Sequence, residues 1–225
     1  MVAIAWFVAD RLQLSGWYVA KSVLVFGVGA GMMLWVLPQQ HPFACLGPAN
    51  QVTLVRGTLV ALLFALIGES TVSGVPAMVM VAASVVCLLD GADGWLARRS
   101  KMVSGFGARF DMETDAVLVA VLAALAWQFG KVGAWVLWAG LLRYLYLAAG
   151  AVVPLLRRPL PPSYLRKTIA VVQMVALIVA IAPFVSPALS ARVAAAASAA
   201  LTLSFLQQVL WLYRNSLPST RTSKC

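Results

Sequence analysis

One stretch of the chain decides the fold: LLDGADGWLARRSKMVSGFGARFDMETDA, residues 88–116. It joins two long apolar runs and contains four aspartates, Asp90, Asp93, Asp111 and Asp115. The chain has only seven acidic residues, and with Glu113 five of them lie in this stretch. Carboxylates are costly beside hydrocarbon, so acids gathered next to apolar runs indicate a functional site.

The apolar runs on both sides of this stretch are long enough to cross a membrane. Hydrophobic residues make up 62% of the 225 residues, and the mean hydropathy is +0.91, whereas an ordinary soluble domain is roughly half apolar. About 20 residues of helix cross the hydrocarbon core of a bilayer. The sequence predicts seven such helices, at about 17–37, 51–69, 74–96, 113–130, 132–154, 168–187 and 190–213.

The predicted fold class is all-α, a polytopic integral membrane protein. Short connectors join the last six helices into three hairpins, which gives a six-helix core over residues 50–213. An N-terminal segment, 1–49, precedes the core and adds one extra apolar helix. Residues 214–225 are rich in Ser, Thr, Lys and Arg and are expected to form a disordered basic tail.

The net charge of +10 is arranged along the predicted helices in a way that indicates a membrane orientation. Basic residues beside apolar runs mark the cytoplasmic side. One face is predicted to collect most of them: Arg56, Arg98, Arg99, Lys101, Arg109, Arg157, Arg158, Arg166, Lys167, Arg214, Arg221 and Lys224. Glu69, Lys131 and Arg192 mark the other face. We therefore expect the aspartates at the cytoplasmic surface, with anionic membrane lipids as partners and no nucleic-acid partner.

The spacing of the aspartates indicates a cation site. Asp90 and Asp93 are three residues apart, and Asp111 and Asp115 are four apart, so on helices each pair lies on one face. Antiparallel helices would bring the two pairs together, and a divalent cation would relieve their repulsion. Oxygen ligands suit Mg²⁺, Mn²⁺ or Ca²⁺. With one histidine and three scattered cysteines, a zinc site is improbable.

Small residues and an arginine around the acids suggest what the cation would hold. Gly91 and Gly94 leave a helix face without side chains, so a ligand can approach the backbone. Arg98 follows Gly94 by four residues and can contact phosphate on the same face. Together these features suggest a nucleotide diphosphate held by a divalent ion. Arg98 as a charge that only sets membrane orientation is the alternative.

A longer pattern runs through the same stretch: Asp90-x2-Asp93-Gly94-x2-Ala97-Arg98-x8-Gly107-x3-Asp111-x3-Asp115. It resembles the signature of the CDP-alcohol phosphatidyltransferases, with every fixed position present, and the resemblance covers about residues 50–213. The resemblance implies two divalent ions, Mg²⁺ or Mn²⁺, held by Asp90, Asp93, Asp111 and Asp115. It also implies that Asp115 is the general base that takes the proton of the acceptor hydroxyl.

The resemblance further implies a donor and its contacts. The donor is a CDP-linked lipid, CDP-diacylglycerol. The matching CDP-binding positions are Gly94, Ala97, Arg98, Ser104 and Gly107. Asn50 and Thr53 lie in the string NQVTLVR, residues 50–56, which resembles the opening motif of the family, where the first core helix meets the nucleotide. Asn50 also suits the N-cap of its helix.

Basic residues of the later helices are the candidates for binding the acceptor alcohol. Arg109, Arg143 and Lys167 would suit an anionic acceptor such as glycerol 3-phosphate. Lys167 with Gln173 resembles part of a motif of phosphatidylglycerophosphate synthases, and FDMETDA around Asp111 suggests a divergent, bacterial-type subgroup. The family's other acceptors stay open: inositol phosphate, inositol, serine, choline, ethanolamine or a phospholipid. The resemblance also implies a homodimer in a bacterial inner membrane, with its active site facing the cytoplasm.

Two other functions compete with this interpretation. A cation transporter or channel would place its acids near the bilayer midplane on broken helices. We expect these acids at helix ends among bases, which disfavours that function. A catalytically inactive scaffold would be attractive if a motif aspartate were missing, but all four are present.

Overall fold

The computed structural model describes residues 1–40, 47–69, 74–100, 105–158 and 163–215. All regular secondary structure in these ranges is helical, which confirms the all-α fold class. The α-helices are α1 Val2–Arg11, α2 Gly16–Gln40, α3 Gly47–Ala65, α4 Val75–Ser100, α5 Gly105–Gln128, α6 Leu137–Val152, α7 Tyr164–Ile181 and α8 Pro187–Arg214. Helices α3 to α8 form the predicted six-helix core, and α1 and α2 precede it. The predicted disordered tail lies outside the described residues from 216 onward.

Most of the core helices are apolar enough to cross a membrane. Within the described ranges, four helical segments meet the length and hydropathy of a span: Val75–Ala92, Ala134–Val152, Tyr164–Ile181 and Pro187–Arg214. Two shorter apolar segments, Gly16–Met32 and Asn50–Ala65, belong to α2 and α3. Helix α5 carries four charged side chains in its first half. It packs against α2, α3, α6 and α7. Asp111 and Asp115 are partly buried there, whereas Arg109 and Glu113 are exposed.

The acids lie inside the helices and not at helix ends, so that part of the sequence interpretation is wrong. The sequence predicts helices at about 74–96 and 113–130, but α4 continues to Ser100 and α5 begins at Gly105. Asp90 is therefore ten residues before the end of α4, and Asp115 is ten residues after the start of α5. At 1.5 Å per residue, both helices continue about 15 Å beyond these carboxylates. A fall in hydropathy along the sequence indicates a more polar environment for the side chains. It does not end a helix, which ends only where its backbone hydrogen bonds end.

The core is built from stripes of aliphatic side chains and from small residues at helix contacts. Leu118, Leu122 and Leu125 of α5 are fully buried, at the spacing that places residues on one side of a helix. Helix α6 approaches α5 closely at Gly140, where a Cβ atom would lie 2.6 Å from the Cα of Ala120. Such small-residue contacts let membrane helices pack tightly without a large apolar driving force.

A network around Glu69 fixes the N-terminal helices to the core at the end of the molecule opposite the aspartates. The Glu69 carboxylate accepts hydrogen bonds from the Ser15 backbone N–H (3.0 Å) and the Ser15 hydroxyl (2.9 Å), and it forms an ion pair with Lys21 Nζ (2.6 Å). Gln128, at the end of α5, donates to the Glu69 carbonyl (3.1 Å). Burial raises the pKa of Glu69, but the Lys21 and Ser15 donors outweigh it, so the pKa lies below 4.5.

Candidate active site

Three carboxylates from two helices converge at one place in the helix bundle. Asp90 lies on α4, and Asp111 and Asp115 lie one turn apart on α5. Each offers an oxygen within 4.8 Å of the others, and within the described residues this is the one group of acidic, cysteine or histidine side chains with that geometry. Helices α4 and α5 each pack on α3 and α7. These two neighbours therefore help to set the distance between the carboxylates.

Arg56 of α3 joins the three carboxylates. Its Nη1 donates to Asp111 Oδ1 and its Nη2 to Asp115 Oδ1. The same Nη2 lies 2.9 Å from Asp90 Oδ1. A planar guanidinium with several N–H donors is suited to bridging carboxylates in this way. Arg56 therefore links α3 to both α4 and α5 at the site.

The burial of these four side chains shows which side of the cluster is open. The Arg56 side chain is 0% exposed, whereas those of Asp90, Asp111 and Asp115 are 17%, 36% and 32% exposed. The guanidinium thus lies on the interior side of the cluster. The three carboxylates are partly accessible to solvent, whereas the guanidinium is not.

The donor set fits a hard divalent cation. Carboxylate oxygens are the ligands that Mg²⁺, Mn²⁺ and Ca²⁺ prefer, and sites of this kind commonly combine two or more carboxylates with water or substrate phosphate. Oxygens within 4.8 Å of one another can share one ion or bridge two neighbouring ions. The sequence prediction of a metal centre built on aspartates thus has three of its four acids in place.

Several predicted site residues lie where their side chains are outside the described part of the structure. Asp93, Gly94, Ala97 and Arg98 fall within the helical backbone of α4, but their side chains are not described. Asp93 follows Asp90 by three residues, so it lies on the same side of α4. Ser104 lies outside the described residues altogether. The roles of these five residues stay predictions.

The other predicted nucleotide-binding residues line the same region of α3 and α5. Asn50 and Thr53 precede Arg56 on α3, and both are buried, with 6% and 3% of their surfaces exposed. Gly107 is half-buried in the first turn of α5, one turn before Asp111. Along their helices, all three lie closer than the carboxylates to the end of the molecule that carries most of the described basic side chains, here called the basic end. They are therefore suitably located for a ligand that extends from the acids toward that end.

The three predicted acceptor residues lie on different helices and are not gathered at the carboxylates. Arg143 of α6 pairs with Glu113 through Nη2, and its Nε lies 3.4 Å from the same carboxylate. Arg109 is exposed in the first half of α5, and Lys167 is exposed near the start of α7. Glu113 is half exposed and takes no part in the carboxylate group, because it lies two residues from both Asp111 and Asp115 and so faces another side of α5.

Arg56 is the residue of the site that the sequence prediction missed. It was read as one of the basic residues that mark a membrane face. It lies nine residues after the start of α3, inside the apolar segment Asn50–Ala65. An arginine at such a depth needs a partner, and the four motif aspartates were the acids available to supply one. That combination was the signal that could have identified it.

A polytopic helical protein with clustered carboxylates inside the bundle belongs to the class of membrane proteins that hold a cation or a phosphate-bearing substrate between helices. The sequence profile of one such group, the CDP-alcohol phosphatidyltransferase family, matches residues 47–208. The chain therefore belongs to the CDP-alcohol phosphatidyltransferase family, and the match begins where α3 begins. Membership implies phosphatidyl transfer from a CDP-alcohol to an acceptor, in a membrane. Searches of curated proteins and of solved structures gave no match.

Proposed function

We propose that the protein transfers the phosphatidyl group of CDP-diacylglycerol to the hydroxyl group of glycerol 3-phosphate and releases CMP. The observation that carries this proposal is the convergence of Asp90, Asp111 and Asp115 at one partly open site. Family membership supplies the reaction class. The donor lipid and the acceptor are the parts that go beyond it.

The carboxylates would hold the metal ions of the reaction. Asp90, Asp93 and Asp111 are the proposed ligands, and Asp115 shares in ligation. A bound Mg²⁺ or Mn²⁺ supplies charge that polarises the phosphorus and stabilises the leaving phosphate of CMP. Gly94, Ala97 and Gly107 leave room for the nucleotide beside the helices, and Arg98, Ser104, Asn50 and Thr53 offer polar contacts to it.

Asp115 is proposed to act as the general base. It removes the proton from the acceptor hydroxyl as the oxygen attacks the lipid-side phosphorus of the diphosphate. The new P–O bond forms while the bond from that phosphorus to the bridging oxygen breaks, and this oxygen leaves as part of CMP. The proton is held at the Asp115 carboxylate, which is partly exposed and can pass it to water.

An anionic acceptor is proposed because three helices carry basic side chains: Arg109 and Lys167 lie near the basic end, and Arg143 lies at the level of Glu113. Arg109, Arg143 and Lys167 are the candidates for holding the acceptor phosphate. We further propose that this end faces the cytoplasm of a bacterial inner membrane, since basic residues concentrate there. A homodimer is proposed from the family resemblance.

A CMP-release assay tests the proposal directly. Purified protein with CDP-diacylglycerol and Mg²⁺ or Mn²⁺ should release CMP with glycerol 3-phosphate and not with serine or inositol, and a chelator should abolish release. Asp115→Asn should lower kcat by about 10²–10⁴-fold. Asp10→Asn, the same change at an exposed acid of α1, serves as the matched control and should leave the rate unchanged. Full activity of Asp115→Asn would remove Asp115 as the base.

The transporter alternative is weakened by the shape of the helices. It requires broken helices at the acids, but α4 and α5 are continuous through Asp90, Asp111 and Asp115. A cation flux in liposomes that needs no CDP-lipid, together with no CMP release for any acceptor, would favour transport over transfer.

A further inference from the structure

Arg56 is held on the buried side of the carboxylate cluster by three separate acids. Two of its nitrogens reach Asp90, Asp111 and Asp115, which belong to two different helices. An arginine that is 0% exposed inside a membrane protein is very costly without such partners. The contacts are therefore part of what holds α3, α4 and α5 together at this depth.

Contact with Arg56 does not by itself prevent these carboxylates from binding a metal ion. All three described contacts to the guanidinium use the Oδ1 atom of the aspartate. A carboxylate has two oxygens with about four lone-pair sites, so it can accept from arginine and still ligate a metal ion. The three aspartates are partly exposed, whereas Arg56 is not, so a metal ion can reach the carboxylates from solvent.

The positive charge of Arg56 lowers the affinity of these carboxylates for a divalent cation. It offsets one of the negative charges that would attract the ion, and it repels the ion directly. The guanidinium also keeps the three carboxylates close together, because its positive charge offsets their mutual repulsion. Lysine could keep the charge but not the arrangement, because an ammonium group is a compact charge without the planar fork of arginine.

From these contacts we infer that Arg56 is a positioning residue of the metal centre. It holds Asp90, Asp111 and Asp115 in one place from the interior side, and its charge weakens the affinity of the site for divalent cations. The inference rests on the proposed function in one respect, namely that this cluster binds a divalent ion. Arg56 thus joins the aspartates among the residues that determine how the ion binds.

Mn²⁺ binding to the purified full-length protein in detergent tests this role. Binding is measured by electron paramagnetic resonance, and the midpoint of thermal unfolding is measured in EDTA and in saturating Mn²⁺. Arg56→Met should bind Mn²⁺ at least about tenfold more tightly than wild type, since a repelling charge a few ångströms from the ion is lost. Its unfolding midpoint should fall more in EDTA than in Mn²⁺, because bound Mn²⁺ then replaces the lost cation. Arg56→Lys should lie between wild type and Arg56→Met in both measurements.

A matched control separates positioning from a general loss of packing. Lys131 also lies at a helix contact, where its Nζ donates to the carbonyls of Ala182 (3.0 Å) and Val185 (2.7 Å), far from the carboxylates. Lys131→Met should lower the unfolding midpoint equally in EDTA and Mn²⁺ and leave Mn²⁺ affinity unchanged. If Arg56→Met behaves like this control, the inference is overturned.

Three further outcomes also test the role of Arg56 or the metal centre. If Arg56→Met does not fold, Arg56→Lys takes its place, and an unchanged Mn²⁺-induced rise in its unfolding midpoint would overturn the inference. Mn²⁺ binding to wild type with no change in the Arg56 variants would contradict the role of Arg56 and leave the proposed function intact. Failure of wild type to bind Mn²⁺ or Mg²⁺ would contradict the metal centre itself.

Discussion

The ion pair of Arg143 with Glu113 gives the acceptor hypothesis a test at the level of single residues. If Arg143 holds an acceptor phosphate, Arg143→Ala should raise the KM for glycerol 3-phosphate by about tenfold or more, the effect of losing a charged hydrogen bond. The KM for CDP-diacylglycerol should change little. Steady-state CMP release with each substrate varied in turn measures both constants.

Glu113→Gln separates acceptor binding from a purely structural ion pair. This change removes the charge that competes for Arg143, so the KM for the acceptor should stay at or below the wild-type value. If the ion pair only stabilises the packing of α5 against α6, Arg143→Ala and Glu113→Gln should have similar effects. Each variant should then change the KM for the acceptor and the KM for CDP-diacylglycerol to the same extent. That result would take Arg143 out of the acceptor site.

At the residue scale, the sequence was sufficient for the acids and insufficient for their partner. Helical spacing within α5 predicted that Asp111 and Asp115 share a face, and the match of the motif joined Asp90 to them. Arg56 could not be placed in the same way, because its contacts depend on how α3 packs against α4 and α5. Counting charges beside apolar runs assigned it to a membrane surface, which is where most such residues lie.

At the scale of helices, hydropathy predicted the number of core helices, but it placed the end of α4 too early and the start of α5 too late. The acids and glycines of 88–116 interrupt the apolar runs without interrupting the helical backbone of α4 and α5. Asp90 and Asp115 consequently lie about 15 Å from the nearer end of their helix, and Asp111 lies about 9 Å from it. They are within the bundle, where neighbouring helices can shield a diphosphate from water.

The contact of α5 with α6 at Gly140 predicts a sharp steric effect. Gly140→Ala would place a Cβ 2.6 Å from the backbone of Ala120, so the helices must separate. We expect a loss of about 1–3 kcal/mol, the usual effect of overpacking. Gly27→Ala in α2 is the control, because its Cβ would meet open space and alanine favours helix by up to about 1 kcal/mol. Thermal unfolding in detergent compares the two, and equal midpoints would contradict the close contact.

The attachment of α1 and α2 to the core should depend on pH through Glu69. Its pKa is lower in the folded protein than the ordinary 4.5, so the carboxylate contributes stability that is fully present above that value. This contribution is lost as the pH falls through the lower folded pKa. Glu69→Gln should therefore be less stable than wild type at neutral pH, by about 1–3 kcal/mol. The difference should shrink as the pH falls below 4.5.

Thermal unfolding of wild type and Glu69→Gln across this pH range measures the effect. Asp10→Asn is the control, since Asp10 is an exposed acid of the same N-terminal segment and exposed charges contribute little. A constant difference between wild type and Glu69→Gln at all pH values would show that ionisation of Glu69 is not what holds these helices.

At the scale of the whole molecule, the two ends have different compositions and different tasks. One end holds the Glu69 network and the Lys131 contacts, which join helix ends through buried or half-buried polar groups. The other end carries most of the described basic side chains: Arg99, Arg109, Arg157, Arg158, Arg166, Lys167 and Arg214. The carboxylates lie between these ends, within the helix bundle.

This asymmetry predicts the orientation of the protein, which single cysteines on either side of α7 can test. Ser163 precedes α7 at the basic end, and Phe184 follows it at the other end and is 79% exposed. In a background without native cysteines, a membrane-impermeant maleimide added to intact bacterial cells should label Phe184→Cys and not Ser163→Cys. Lysis should expose Ser163→Cys to the same reagent, because the basic end is expected in the cytoplasm. The reverse labelling pattern would place the basic end outside the cell and contradict the proposed orientation.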